Sequence, residues 1–533
     1  MRVARGVCLA VAVVGVLLVG PGCPVAAAPT GPPPIAPEAT KWLSPRLVEL
    51  TFTNPAVNPP LPKTKVRILV PGSLRAGARY PVVLLLHGIG DTSSAWTNNQ
   101  DGWPVTLEAF TADKDVIIVM PDAGQNAEAG WYSDWYNGGK AGPPAWETYH
   151  LKQLLGYVDR AFPTRADRNG RVVAGLSMGG FGTMAYAARH PDLFAGAYSF
   201  SGALDNQGVG LAIPAGTWGQ YGQGEVRRRG HNPVDLASNL NDVRVWFRIG
   251  MGLPGGPGPK DSQSIGLEAA LWPTNELFTR ALAAAGVTHR YEAYPLGGHN
   301  WYHWQQGFQL AWPDMVKVFA ASDPAPANFR FRSIEPSFQV WGWDVAVGRA
   351  TTEFLQMTGV SIAGLTLAGS GKVALVTPPA YDPAATYTFA ATGPSASVTP
   401  TSARPDADGR LRLTVTLGPS HTLEEFTPAQ QAAASSDPGY IKTAAVTISR
   451  AAAVSTDAPA SPPADAPASP RVGERSSAIL PATGAESKLR LTLALTLAAT
   501  ALLASLMVRM SRRAYTLGAG QQGPSRAEGV MPT

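Results

Sequence analysis

Gly175-Leu176-Ser177-Met178-Gly179 sets a serine between two glycines, each two residues away. The apolar run RVVAG precedes it and the helical pattern FGTMAYAARH follows it, so Ser177 falls where a strand stops and a helix starts. A serine held in so sharp a turn is exposed for nucleophilic attack, and the glycines are there because a side chain at either position would clash. The Met178 N–H, at the start of the helix, is then aimed at an oxyanion forming beside Ser177. A second donor should come from the loop after an earlier strand. PVVLLLHGIGDT supplies one, and the N–H of Ile89 takes the role. His87, directly after that strand, is expected to shape the loop rather than to act as a base.

Such a nucleophile needs an imidazole that comes late in the chain and a carboxylate between the two. After Ser177 this part of the chain carries His190 in a helix-ending turn, His231 in a polar loop, His289 ahead of the strand YEAYP, and His299 and His303 in PLGGHNWYHW. His299 lies just past a strand on a glycine-rich loop, where the base belongs; His303 is the alternative. The acid should follow the strand RVWFRIG, which leaves Asp261, Glu268 and Glu276, and periodicity does not choose among them. Asp134, in SDW, reads as a structural residue or as a wall of the substrate cleft. No metal or nucleotide motif is present and no cofactor is expected. These residues predict that Ser177 attacks an ester carbonyl and that water or an alcohol resolves the acyl-enzyme.

The elements that must position these residues are legible as patterns. Between Leu47 and Val70, VELTFT and KVRILV alternate as antiparallel strands do. PVVLLLHG, DVIIVMPD, RVVAGLS and RVWFRIG are short continuous apolar runs, as in strands buried on both faces of a parallel sheet. Helical patterns lie between them, at Glu147 to Phe162 and Phe181 to Arg189, and a further one around Met315 to Ala320 closes the domain. The order predicts an α/β class, an α/β-hydrolase fold over residues 41–322. A Pro/Ala linker at DPAPANF opens residues 323–450, where short strands with turn residues predict a second, smaller all-β domain of sandwich type, read as packing, spacer or wall-binding. Residues 451–479 are rich in Pro, Ala and Ser and read as an extended spacer.

The stretch WYSDWYNGGKAGPPAWETYHLKQLLGYV with VVAGLSMGGFGTMAYAARHPDLFAGAYSFSGALD closely resembles the antigen 85 mycolyltransferases and the wider esterase family that includes esterase D. The resemblance runs from about Val66 to Trp312. It implies that the acid is Glu268, seven residues before Asn275 and followed by Phe278, whereas Glu276 lies one residue past the Asn and does not fit. It implies His299 as base, in Gly297-Gly298-His299-Asn300-Trp301, and Ile89 and Met178 as oxyanion donors. Where the transferases carry Asp-Gly-Leu-Arg, this chain has His87-Gly88-Ile89-Gly90, and it lacks their cysteines. Ester hydrolysis is therefore the first expectation and acyl transfer to envelope sugars or glycerides the second; a non-catalytic adhesin that keeps the fold is a third, opposed by the complete triad.

The chain has 533 residues, with 45% hydrophobic and 15% charged, a globular balance that excludes wholesale disorder. Arg2 and Arg5, the apolar run Val7 to Val19 and the small residues before Pro29 have the order of a secretory signal peptide, residues 1–27, followed by a Pro-rich leader, residues 28–40. Near the other end, Leu480-Pro481-Ala482-Thr483-Gly484 precedes an apolar stretch from Leu491 to Val508 and then Arg509, Arg512 and Arg513. Residues 480–513 resemble a sortase sorting signal of the LPXTG type, with a transmembrane span at 491–508 and a tail at 514–533. That resemblance implies cleavage between Thr483 and Gly484, sortase as a partner and covalent attachment to peptidoglycan. The formal net charge of +5 is concentrated in these two ends, and without them the chain is close to neutral, so no nucleic-acid partner is inferred. Cys8 and Cys23 both lie in the signal peptide, which leaves no disulfide or thiol chemistry after its removal. The expected partner is an ester substrate from the envelope or a lipid.

Overall fold

The computed structural model describes residues 32–98, 104, 106–125, 128–140, 142–207, 213–220, 224–258 and 262–452. The signal peptide, Asp261, most of the spacer, Thr483, Gly484 and the apolar stretch 491–508 lie outside them. Among the described residues no helix is long and apolar enough to cross a membrane.

Nine strands form one sheet: β1 (Ala39–Trp42), β2 (Leu47–Thr53), β3 (Lys63–Leu69), β4 (Val82–Leu86), β5 (Ile117–Pro121), β6 (Arg171–Leu176), β7 (Gly196–Phe200), β8 (Arg244–Leu253) and β9 (His289–Leu296). Their order is β1-β2-β3-β5-β4-β6-β7-β8-β9. β1, β2 and β3 pair antiparallel, and β3 joins β5 antiparallel. From β5 to β9 every pairing is parallel. This is an α/β-hydrolase-like sheet. β1 falls at the boundary where the sequence suggested an extended leader.

The continuous apolar runs are buried on both faces, as their composition requires. Val82, Leu84 and Leu86 of β4 join one core cluster and Val83 and Leu85 the other. The helix Met178–Arg189 and the helix Ser262–Ala284 cover the first face through Phe181, Met184, Leu271, Phe278 and Leu282. The helix Trp301–Ala320 covers the second with Trp301, Trp304, Phe308, Ala311, Met315 and Val318, a spacing of three or four residues that keeps one stripe on the sheet. The pattern from Glu147 to Phe162 resolves into a π-helical segment, Thr148–Leu154, running into the α-helix Leu155–Ala161.

From Phe329 to Arg450 the chain forms a six-stranded and a five-stranded sheet, all of whose pairings are antiparallel. Alternating burial along Phe329–Ser333, Trp343–Gly348 and Lys372–Val376 directs Phe331, Trp343, Val345, Val373 and Leu375 into one shared core. FQVWGWDVAV, which reads as one strand in the sequence, forms two, Ser337–Val340 and Trp343–Gly348, because Trp341 and Gly342 both take positive φ (49° and 79°) and turn the chain.

Candidate active site

All the parallel strands end on one edge of the sheet, the edge at which open α/β sheets bind ligands. Ser177 follows β6 and takes φ 55°, ψ −119°, a conformation an L-residue holds at a cost in strain. Surrounding hydrogen bonds fix it: Ser177 N donates to Phe200 O at 3.0 Å, and Ser177 O accepts from Phe181 N at 3.1 Å. The flanking glycines are required by close backbone approach. A methyl on Gly175 would lie 2.5 Å from Gly179 O, and one on Gly179 would lie 2.6 Å from His87 O. Met178 is the first residue of the helix, so its N–H has no acceptor within that helix.

The turn after β4 lies against the same serine. A methyl on Gly88 would meet Leu176 Cδ1 at 2.7 Å and Ser177 Cβ at 3.3 Å, so the chain carrying Ile89 passes directly over the nucleophile turn. His87 holds this turn in shape. Its Nε2 accepts from Ala123 N at 2.9 Å and its Nδ1 donates to Gly88 O at 2.8 Å. Burial lowers its pKa, so the ring stays neutral and keeps that tautomer. Tyr132 adds a bond from its hydroxyl to His87 O at 2.9 Å.

Glu268 sits within the helix Ser262–Ala284 and is fully buried. Its Oε1 accepts from Ser201 Oγ and from Gly250 N, each at 2.7 Å, and from the Tyr294 hydroxyl at 3.4 Å. Its Oε2 lies 2.8 Å from His299 Nδ1. Because the carboxylate can only accept, Nδ1 carries the proton, and Nε2 of the neutral ring is left basic. Three elements thus meet on one carboxylate: the residue after β7, the middle of β8 and the loop after β9. Asn275 ties the same helix to the chain after β7 by donating to Gly202 O at 2.8 Å. Trp304 stands edge-on to the imidazole, with ring centres 4.9 Å apart, and restricts its rotation.

The alternatives have other partners. Glu276 accepts from Trp272 Nε1 at 3.1 Å and from the Tyr291 hydroxyl at 2.7 Å. His303 stacks on Tyr294 at 4.8 Å. His190 bonds Glu147 at 2.7 Å, His231 bonds Arg227 O at 2.8 Å, and His289 bonds Val287 O and Thr279 at 2.8 Å each. Asp134 accepts from Thr148 N and Oγ1 at 3.0 and 2.6 Å, which caps the π-helical turn. Sequence reasoning missed Ser201, Gly250, Tyr294 and Trp304. A hydroxyl directly after the buried strand GAYSF is the one signal that could have flagged Ser201.

The model of the family described as Putative esterase matches residues 61–315. Esterase Rv1288 of Mycobacterium tuberculosis is 34% identical over 254 residues, which cover 44% of this chain and 52% of that protein, so the chain spans about half the length of this relative. The protein named diacylglycerol acyltransferase/mycolyltransferase Ag85B of Mycolicibacterium smegmatis is 30% identical over 240 residues, 41% of this chain and 72% of the relative. Among solved structures, a ferulic acid esterase is 26% identical with a TM-score of 0.40, covering 51% of this chain and 99% of its own. The chain belongs to the esterase family that these sequences share.

Proposed function

We propose that this chain is a serine carboxylic-ester hydrolase with Ser177 as nucleophile, His299 as base and Glu268 as the acid that orients it. The observation that carries the reading is the 2.8 Å contact between His299 Nδ1 and the fully buried Glu268, on the sheet edge where Ser177 holds its strained turn. His299 Nε2 takes the Ser177 proton as Oγ bonds to the ester carbonyl carbon, and the carbonyl electrons move to oxygen. The N–H groups of Ile89 and Met178 stabilise that oxyanion, each worth ~3–4 kcal/mol in catalysis. When the tetrahedral adduct collapses, the alcohol leaves with the proton from His299 and the acyl group stays on Ser177. Water activated by His299 repeats the sequence and frees the acid.

Acyl transfer is the second reading, supported by the Ag85-type relatives, and it differs in a sugar or glyceride hydroxyl taking the place of water. The outer location is part of the proposal: LPATG, the apolar stretch and the arginines support export, sortase cleavage after Thr483 and attachment to peptidoglycan. A panel of p-nitrophenyl esters of rising chain length, run with and without an added sugar acceptor, tests the activity. Release of free acid in both arms supports the hydrolase, acyl-sugar product supports the transferase, and no turnover in either rejects both.

A further inference from the structure

The strands after Phe329 are joined to the rest of the chain through two charged contacts that lead toward the nucleophile turn. In the first, Glu335 Oε1 accepts from Arg189 Nη2 at 2.9 Å. Arg189 is the last residue of the helix that begins at Met178. Its Nε lies 3.0 Å from both oxygens of buried Glu147, and its Nη1 donates to Gly230 O at 3.0 Å. Burial alone would raise the Glu147 carboxyl; Arg189 and the bond with His190 overcome this and hold it far below the usual carboxylate range. Asn239 clasps both sides, donating to Ala188 O at 3.0 Å and to Arg332 O at 2.9 Å. Ile334 sits so close to Gly230 that a methyl there would be 2.3 Å from Ile334 Cδ1, and Ile334 belongs to the same buried cluster as Met178 and Phe181.

In the second contact, Glu424 Oε1 pairs with Arg227 Nη2 at 2.6 Å, and the Arg227 guanidinium lies 3.9 Å from the centre of the Tyr136 ring. Tyr136 lies four residues after Tyr132, whose hydroxyl holds His87 O in the turn that carries Ile89. The Tyr132 ring also packs on the nucleophile helix at Gly182, where a methyl would lie 2.4 Å from it.

We propose that the all-β part is a brace for the oxyanion site: Glu335, through Arg189, fixes the helix presenting the Met178 N–H, and Glu424, through Arg227 and Tyr136, fixes the loop supporting the Ile89 N–H. The inference rests on the hydrolase reading. Both carboxylates are positioning residues that touch no substrate. Oxyanion donors act within a window of about 2.7–3.1 Å, so a small drift at either one weakens transition-state stabilisation while leaving ground-state binding in place.

The test uses the full chain with Glu335→Gln, Glu424→Gln and the double variant, each assayed below its own measured melting midpoint. Turnover of p-nitrophenyl butyrate is measured alongside inhibition by phenylboronic acid, whose boron bonds Ser177 Oγ and places a hydroxyl where the oxyanion forms. In each single variant kcat is expected to fall about three- to tenfold, short of the ~10²–10³ for losing a donor outright. KM stays nearly constant, the boronic acid Ki rises by the same factor as kcat falls, and Glu335→Asp restores part of the loss. Folded variants with kcat and Ki within about twofold of the parent, or a fall in kcat with Ki unmoved, overturn the brace while leaving the hydrolase reading intact. An inactive parent rejects the reading itself.

Discussion

Glu268→Gln separates a triad acid from a buried structural carboxylate. The amide keeps the shape of the side chain, and its oxygen can still accept from Ser201 Oγ and Gly250 N. Its NH2 group then faces His299 Nδ1, where the carboxylate accepted at 2.8 Å. The ring is driven to accept at Nδ1 and carry its proton on Nε2, which can no longer take the Ser177 proton. The imidazolium formed during attack also loses its counter-charge, worth about 4 kcal/mol near 4 Å at an effective dielectric of 20, or roughly 10³ in rate. The same exchange in serine proteases costs about 10⁴ in kcat. Hydrolysis of p-nitrophenyl butyrate should therefore fall ~10³–10⁴ in kcat with KM little changed and the melting profile close to the parent's. Glu276→Gln is the control. That carboxylate serves Trp272 and Tyr291, so kcat should stay within about twofold while stability falls by ~1 kcal/mol. A loss below about tenfold for Glu268→Gln, or a larger loss for Glu276→Gln, refutes the assignment.

Ser177→Gly should abolish turnover yet melt higher, by about 1 kcal/mol, because φ 55°, ψ −119° suits glycine and strains serine; calorimetry that finds a lower midpoint contradicts this. His150 is buried, donates from Nε2 to Asp122 O and accepts at Nδ1 from the Tyr186 hydroxyl, and burial lowers its pKa to about 3. The unfolded chain takes a proton there below about pH 6.5 that the folded chain refuses, so stability is full above that pH and declines toward pH 3. His150→Gln should remove one proton from that slope, about tenfold in the folding equilibrium per pH unit, in denaturant titrations at pH 4–6; an unchanged slope shows that His150 does not stay neutral. Thr483→Ala, outside the described residues, should leave the protein in the medium or the membrane fraction, whereas the parent should be released from detergent-washed walls by muramidase alone. Detergent extraction of the parent would make residues 491–508 a lasting anchor.

Much of the candidate site is legible in the sequence because its signals are local. The serine turn is written in a five-residue motif between an apolar strand and a helix, and His299 in a glycine-rich loop after one. Burial on both faces made β4, β5, β6 and β8 continuous apolar runs, which sequence displays directly, whereas β7, with Gly196 and Ser199 in it, carries no such run. Glu268 was not legible from pattern, since its burial is made tolerable by Ser201, Gly250 and His299, which lie 67, 18 and 31 residues away. The helix that carries it also contains Pro273 and presents a weak stripe, so periodicity alone does not display it. The bracing carboxylates were invisible for a related reason. Neither Glu335 nor Glu424 lies in a motif, and only the fold sets them beside Arg189 and Arg227. Turns within β-rich sequence were blurred too, as Trp341-Gly342 shows.

In the proposed mechanism Ser177, activated by His299, forms the covalent intermediate. Full-length protein treated with a fluorophosphonate probe, digested and mapped by mass spectrometry tests it most directly. A single adduct is expected on the peptide containing Ser177, absent in Ser177→Ala and slowed by about 10³ or more in His299→Gln. An adduct on another residue, or labelling of Ser177 that His299→Gln leaves unchanged, contradicts it.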